Sequence, residues 1–206
     1  QILRRMIKNI IFDFGCVLIN WSQHNLYDTY FGSKEKTDWF IDNICTWEWN
    51  NQTDVGKTFA SSVEEKIAEF PEWEKEIRMY WERWEDMIGG AVEGMQDWIC
   101  ELKKAGYKVY GLSNWSAETF PLVKEKFPVF KMMDGIVISG EELIAKPDYR
   151  IYQILLNRYN LQANECVFVD DRQSNIDAAK ELGIHGITFK SCEQAKQVFN
   201  QIANKH

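Results

Sequence analysis

Short apolar runs recur along the chain, and each ends abruptly in polar residues. Runs of this length, rich in β-branched side chains and apolar throughout, are typical of strands that are buried on both faces of a sheet. The five runs cover residues 7–12, 109–112, 135–138, 166–169 and 184–189. We predict that each of them is a strand of one buried sheet.

Helical spacing of apolar residues follows most of these runs. The predicted helices cover residues 92–105, 116–126, 149–159, 174–182 and 192–203. Gly106 and Gly183 stand where a glycine commonly ends a helix. Strands that alternate with helices predict an α/β fold with a doubly wound, mainly parallel sheet. We assign residues 6–18 and 91–206 to this core domain.

Residues 19–90 interrupt the alternation. They carry helical patterning without a recognisable strand, and they hold seven of the nine tryptophans. We therefore expect an all-helical domain, inserted after the first strand and folded over the carboxyl edge of the sheet. The loop after Leu18 and the pair Gly89-Gly90 are the expected hinges.

Composition and charge narrow the classes of partner. With 206 residues, 45% of them hydrophobic and 27% charged, the chain has the composition of an ordinary globular protein. Its net charge of -7 repels polyanions. We therefore expect neither nucleic acid nor an anionic membrane surface as a partner.

Cysteine usage indicates the compartment. The five cysteines are scattered, without CxxC or Cys/His spacing, which argues against a disulfide framework or a zinc site. No apolar run reaches transmembrane length, so we expect a cytoplasmic protein. Residues 1–5 precede the first methionine, and we expect them to be either an appended segment or a frayed end.

Polar side chains close three of the predicted strands. Because ligands bind outside the carboxyl ends of the strands in an open parallel sheet, we expect these side chains to converge. They are Asp13, Ser113 with Asn114, and Asp170 with Asp171, joined by the loop segment Lys146-Pro147. Adjacent carboxylates repel each other unless a cation lies between them. A carboxylate, a hydroxyl, a cation and a carboxylate pair together favour phosphate chemistry with a hard metal ion.

The same strand-end motifs carry a resemblance to a known family. They are Phe12-Asp13-Phe14-Gly15, Leu112-Ser113-Asn114, Lys146-Pro147, and Val169-Asp170-Asp171 followed by Asn175. With them the chain resembles the haloacid dehalogenase-like hydrolase superfamily, in particular members with a helical cap inserted after the first strand. The resemblance implies a Rossmann-like core and makes residues 19–90 the cap.

The resemblance also implies an enzyme, a phosphatase that works through an aspartyl-phosphate. Asp13 would be the nucleophile, and Lys146 would screen both Asp13 and the phosphate. Ser113 and the backbone N–H of Asn114, at the start of a helix, would bind a phosphate oxygen.

Magnesium is the cofactor that the resemblance implies. The Asp13 carboxylate, the Gly15 carbonyl and the pair Asp170-Asp171 would hold Mg²⁺, with Asp171 as the direct ligand of the pair. Asn175, one helical turn further on, would orient Asp171 or Lys146.

Position 15 departs from the pattern of most such phosphatases, which carry a second Asp two residues after the nucleophile. That residue protonates the leaving oxygen, and such a group contributes about two to four powers of ten in rate. Gly15 has no side chain to do so.

Three interpretations of Gly15 stay open. The first is a phosphatase whose leaving group needs little help, such as an anomeric sugar phosphate; this resembles the glucose-1-phosphatase-like branch of the superfamily. The second is a metal-independent haloacid dehalogenase, which needs no leaving-group proton. The third is a catalytically weak protein that binds a phosphate ligand.

The polar and aromatic segment 47–56 is the expected substrate-reading part of the cap. Trp and amide side chains suit the stacking and hydrogen bonding of a sugar, and we name Trp49 and Asp54 as candidate substrate-binding residues. His24 is a distant candidate for the missing acid. The expected partner is a small phosphorylated substrate, and the expected state is a monomer or homodimer.

Overall fold

A five-stranded parallel sheet forms the centre of the protein. The computed structural model describes residues 7–205, so the predictions for residues 1–5 lie outside the described part. The strands of this sheet are β1 (Asn9–Phe12), β4 (Lys108–Ser113), β5 (Gly135–Ile138), β6 (Cys166–Asp170) and β7 (His185–Thr188), and their order is β5-β4-β1-β6-β7. All four pairings are parallel. The predicted α/β fold with a doubly wound sheet is confirmed.

Helices cover both faces of the sheet. They are α6 (Met95–Lys104), α7 (Phe120–Lys126), α8 (Ser139–Glu142), α9 (Tyr149–Arg158), α10 (Gln173–Glu181) and α11 (Cys192–Asn204). Successive strand residues point to opposite faces. Ile10 and Phe12 therefore pack in one apolar cluster with α6 and α11, whereas Ile11 packs in a second cluster with α9 and α10.

Five helices follow the first strand before the chain returns to the sheet. They are α1 (His24–Phe31), α2 (Lys34–Asn43), α3 (Trp47–Thr53), α4 (Phe59–Glu69) and α5 (Glu74–Glu82). Aromatic side chains fill the space between them: Tyr27, Phe40 and Tyr80 are each 0% exposed. The division into a core domain and a cap at residues 19–90 stays a prediction.

A two-stranded antiparallel ribbon lies at the base of this helical segment. Its strands are β2 (Ile19–Trp21) and β3 (Ile88–Ala91), at the positions predicted as hinges. The prediction of an all-helical insertion is corrected in this respect. Strands of three and four residues contain too few positions for an alternating apolar pattern, and their pairing depends on a tertiary contact between distant parts of the chain.

One helix begins later than predicted. α7 starts at Phe120, not at residue 116, because the preceding loop bonds to the start of α8 instead. The Trp115 N–H donates to Ser139 Oγ and the Gly140 N–H donates to the Trp115 carbonyl.

None of the helices in residues 7–205 is long and apolar enough to cross a membrane. All five cysteines are free thiols. The cytoplasmic location stays a prediction.

Candidate active site

The register of the central strands brings the predicted residues together. Phe12 lies beside Gly111 on one side and beside Val169 on the other. The next residue along β1, Asp13, therefore lies beside the ends of β4 and β6, where Asp170 is the last residue of β6. The predicted convergence at the carboxyl edge is present in the structure.

Lys146 connects these strand ends. Its Nζ lies 2.9 Å from Asp13 Oδ1, 2.7 Å from Asp170 Oδ2 and 2.9 Å from the Leu112 carbonyl oxygen. The Lys146 side chain is only 1% exposed, and the Asp170 side chain is 0% exposed. Because an ammonium has three N–H donors, all the hydrogen-bonding capacity of Lys146 is used within the protein.

Asn114 holds the backbone of Lys146 through its side chain. The Lys146 N–H donates to Asn114 Oδ1 at 2.8 Å, and Asn114 Nδ2 donates to the Lys146 carbonyl at 3.0 Å. Asn114 was expected to act through its own N–H at the start of a helix. The structure corrects the helix start, which lies at Phe120. Asn114 lines the cleft, and the contact of its N–H with phosphate stays a prediction.

Asn175 also has a different partner from the one expected. Its Nδ2 donates to Asp170 Oδ2 at 3.0 Å, not to Asp171 or Lys146. Asp170 Oδ1 accepts from the Arg172 N–H at 2.8 Å, so both Asp170 oxygens are hydrogen-bonded. Asn175 is itself fixed, because the Tyr152 hydroxyl donates to its carbonyl at 2.7 Å. The buried Asp170 thus holds Lys146, the Arg172 backbone and Asn175 in place.

Three carboxylates face one ammonium group at this edge. One oxygen of each of Asp13, Asp170 and Asp171 lies within 4.8 Å of the others. Burial, together with the neighbouring Asp170 and Asp171, raises the pKa of Asp13 to about 7 despite the attraction of Lys146. Burial and Asp170 likewise raise the pKa of Asp171.

This donor set suits a divalent cation. Lys146 carries one positive charge, so the three carboxylates, when ionised, leave two negative charges that it does not neutralise. Hard oxygen ligands of this kind are those that Mg²⁺ prefers. Gly15 lines the same cleft and would add its carbonyl.

Ser113 is fully buried at the end of β4. Within residues 7–205 its Oγ has no hydrogen-bond partner, and Ser113 is not among the residues that line the cleft. Its expected phosphate contact therefore stays a prediction.

A cleft of about 570 Å³ opens between the sheet edge and the inserted helices. Asp13, Lys146 and Asp171 lie in its wall on the core side, and α3 with the following turn lies on the other side. Large aromatic side chains make up much of the remaining wall: Trp21, Trp47, Phe59, Trp84 and Trp115.

The structure corrects the assignment of Trp49 to the substrate site. Trp49 is 5% exposed, its Nε1 donates to the Ser62 carbonyl at 2.9 Å, and its ring meets Tyr80 edge-on at 4.8 Å. Trp47, 42% exposed, lines the cleft instead. Residues two apart on a helix point in different directions, so only one of the two tryptophans can face the cleft.

Arg172 is a cleft residue that the sequence analysis missed. Its guanidinium lies 5.6 Å from the centre of the Trp47 ring, within the range of a cation–π contact. Its place directly after the acidic pair is the one sequence signal that could have identified it. His24, in contrast, does not line the cleft; it lies between Asp28 and Asp38, so it is not the missing acid.

Asp54 does line the cleft, as expected of a substrate-reading residue. It follows the last residue of α3. Burial and the negative charge of Asp13 raise the pKa of Asp54 to about 7, although Arg172 and Lys146 pull it down.

Comparison with known proteins places the chain in a family. Residues 10–189 match the haloacid dehalogenase-like hydrolases. A sesquiterpene phosphatase of Aspergillus oryzae is 28% identical, with 93% of this chain and 96% of the relative covered. A D-ribitol-5-phosphate phosphatase of Bacteroides thetaiotaomicron is 25% identical, with 97% of this chain and 100% of the relative covered.

A solved structure supports the same placement. It is a HAD family enzyme of Bacteroides thetaiotaomicron in complex with magnesium and inorganic phosphate. It is 25% identical, with a TM-score of 0.71 and with 94% of this chain and 99% of its own covered. Fold, strand-end motifs and relatives agree: the chain belongs to the haloacid dehalogenase-like hydrolase family.

Proposed function

We propose that this hydrolase is a magnesium-dependent phosphatase that cleaves a small phosphate monoester through an aspartyl-phosphate on Asp13. The observation that carries the proposal is the buried Lys146 ammonium, bonded to both Asp13 and Asp170 beside a carboxylate cluster that suits a divalent cation. The two phosphatase relatives and the magnesium and phosphate bound by the neighbouring structure support it.

The hydrogen bonds of Asp13 prepare one oxygen for attack. Within the described residues Oδ1 accepts from Lys146 and Oδ2 accepts no hydrogen bond, so Oδ2 is the free nucleophile. Holding the carboxylate in one orientation lowers the entropic part of the barrier. Lys146 has no N–H left for phosphate unless it releases an acceptor, so it acts mainly by fixing Asp13 and through its charge.

The carboxylates of Asp13 and Asp171, with the Gly15 carbonyl, would hold Mg²⁺. Asp170 would position the neighbouring residues and would not bind the ion directly, because both of its oxygens already accept hydrogen bonds from the protein. When bound, the ion neutralises negative charge on the phosphoryl oxygens, which is the main obstacle to attack by a carboxylate.

For the body of the substrate we propose a sugar or sugar-alcohol phosphate. Trp47 offers an exposed ring for stacking, and Asn50, Asn51 and Gln52 line the same wall with amide groups. The Tyr80 hydroxyl donates to Asn50 Oδ1 at 2.6 Å, which leaves the Asn50 NH₂ to donate to a substrate oxygen. The narrower resemblance to glucose-1-phosphatase-like enzymes stays a prediction.

The test is phosphate release from a panel of substrates, with Mg²⁺ and with a chelator. The panel contains sugar-1-phosphates, sugar-6-phosphates, a sugar-alcohol phosphate, a prenyl phosphate and an activated aryl phosphate. We expect turnover that depends on Mg²⁺ and disappears in Asp13→Asn but not in the control Asp42→Asn, an exposed acid outside the cleft. Metal-independent turnover of chloroacetate, or phosphate binding without any turnover, would contradict the proposal.

A further inference from the structure

The place where most related phosphatases carry their acid holds a glycine next to an aromatic ring. A Cβ atom added to Gly15 would lie 3.6 Å from the ring of Trp115. Trp115 is 6% exposed and packs edge-on against Trp84 at 5.9 Å. Among the described residues, the carboxylic acids that line the core side of the cleft are Asp13 and Asp171, the proposed nucleophile and a proposed metal ligand.

Two acids line the opposite wall, Glu48 and Asp54. Glu48 is exposed to solvent, whereas Asp54 is partly buried in the cleft. The Asp54 carboxyl makes no hydrogen bond or ion pair with any residue in the range 7–205, which leaves it available to a ligand. No histidine lines the cleft among the described residues.

Close contacts hold the Asp54 turn against the core. Backbone hydrogen bonds close the turn, from the Asp54 N–H to the Asn51 carbonyl and from the Gly56 N–H to the Thr53 carbonyl. Gly56 lies so close to Leu143 that a Cβ there would come within 2.4 Å of a Leu143 methyl group.

A second contact with the core follows three residues after Gly56. The Phe59 N–H donates to Glu118 Oε1 at 3.0 Å, which links the start of α4 to the loop before α7. The segment directly after Asp54 thus contacts the core at two points, Gly56 against Leu143 and Phe59 against Glu118.

We propose that Asp54 is the general acid and base of the reaction, supplied by the inserted helical segment in place of the residue missing at Gly15. The inference rests on the proposed phosphatase function and assigns the proton transfers within it. The charged groups that act on Asp54 are Asp13, Lys146 and Arg172.

The electrostatic environment supports this role. Burial and the nearby Asp13 raise the pKa of Asp54 to about 7. A group that titrates near neutral pH is present in both protonation states, which is what a residue acting first as acid and then as base requires.

The proton transfers balance over the two steps. As Asp13 Oδ2 bonds to phosphorus and the bond to the leaving oxygen breaks, Asp54 gives its proton to that oxygen and the alcohol departs. A water molecule then attacks the aspartyl-phosphate, Asp54 takes a proton from it, and the bond between Asp13 and phosphorus breaks. Phosphate leaves, and both carboxyl groups return to their initial states.

The test uses Asp54→Asn, which keeps the shape of the side chain but cannot exchange a proton. Steady-state rates are measured with Mg²⁺ on an alkyl phosphate, such as a sugar-alcohol phosphate, and on an activated aryl phosphate. The first turnover of the aryl phosphate is followed by stopped flow. Asp42→Asn is the matched acid-to-amide change in the same helical segment, outside the cleft.

We expect Asp54→Asn to lower kcat for the alkyl phosphate about 10²- to 10⁴-fold with little change in KM. The aryl leaving group needs no proton, so the variant should release about one phenolate per chain in a fast burst and then turn over slowly. The slow phase measures hydrolysis of the aspartyl-phosphate. This intermediate accumulates in the variant because no base takes the proton from the attacking water.

Two other results would overturn the inference. One is an equal loss of the alkyl rate and of the aryl burst, which indicates a structural defect. The other is a raised KM with unchanged kcat, which indicates substrate binding alone. A wild-type chain that hydrolyses phosphates, with Asp54→Asn unaffected, refutes the role of Asp54 only, whereas a wild-type chain without any phosphatase activity refutes the proposed function as well.

Discussion

Replacing Lys146 by methionine removes the only positive charge that is hydrogen-bonded to the buried carboxylates among the described residues. Methionine keeps most of the side-chain length and apolar bulk, which is needed because the ammonium also lies 5.2 Å from the centre of the Phe168 ring. The change leaves Asp13, with a side chain 12% exposed, next to Asp170, which is 0% exposed. Both would then lack their shared partner.

The size of the effect follows from this burial. Removing one partner of a buried ion pair costs about 3 to 5 kcal/mol, because the remaining charge is left without compensation. A domain has a total stability of about 5 to 15 kcal/mol, so Lys146→Met should remove a large part of it. With a urea m-value of about 3 kcal/mol per M, the denaturation midpoint should fall by about 1 to 2 M.

The loss should depend on pH in a defined direction. Without Lys146 the pKa of Asp13 rises further above its usual range, because the attraction of the ammonium is lost. At low pH Asp13 is then protonated in the folded chain and no longer repels Asp170. The destabilisation should therefore be smaller at about pH 5 than at about pH 8. Saturating Mg²⁺ should restore part of the stability, because the ion binds the folded state alone.

The assay is urea denaturation of the metal-free protein followed by tryptophan fluorescence at both pH values. Lys8→Met is the control, because Lys8 forms an ion pair with Glu165 at 2.9 Å while its side chain is 60% exposed. Such a surface pair contributes less than about 1 kcal/mol. If Lys146→Met cost no more than Lys8→Met, or cost the same at both pH values, the reasoning from buried charge would be refuted.

Three further predictions concern the cleft. Gly15→Asp should change alkyl phosphate rates by less than about tenfold if Asp54 already supplies the proton; a larger gain in phosphate release would show that the missing Asp limits the wild-type enzyme. Asp54→Asn should reduce the pH dependence of the free energy of unfolding, measured in the presence of a chelator. Because the pKa of Asp54 in the folded chain is about 7, its contribution to that free energy is complete below about pH 4 and is lost as the pH rises through 7. If urea denaturation gave the same pH dependence for the wild type and for Asp54→Asn, this prediction would be wrong. Trp47→Ala should raise KM in steady-state assays while Trp39→Ala, an exposed ring outside the cleft, should not; equal effects would exclude stacking on Trp47.

The sheet could be predicted from the sequence because its strands are buried on both faces. The strand predicted at residues 135–138 coincides with Gly135–Ile138. The first predicted strand includes residues 7 and 8, whereas β1 begins at Asn9; Lys8 still bonds through its backbone to Glu165 and Lys108. The register then places Asp13 and Asp170 together, so the centre of the site follows from the strand ends.

The finer contacts could not be predicted, because they depend on how distant elements are oriented. Trp47 and Trp49 have similar local sequences, and only the rotation of α3 against the Tyr80 ring decides which of them is buried. Asn175 bonds Asp170 because of the relative position of β6 and α10. The sequence placed Asp54 in the expected substrate-reading segment, but the proton-transfer role proposed for it depends on its partial burial in the cleft, which has no sequence signature.

The most direct test of the proposed mechanism is to identify the residue that carries the phosphoryl group during turnover. Protein reacting with an aryl phosphate and Mg²⁺ is quenched in acid within one turnover and reduced with borohydride, which converts an aspartyl-phosphate to homoserine. Peptide mass spectrometry should then find homoserine at position 13 in the wild type, with a higher yield in Asp54→Asn because the intermediate accumulates. Phosphate release with no modification at position 13, or with modification at another residue, would contradict the assignment of Asp13 as the nucleophile.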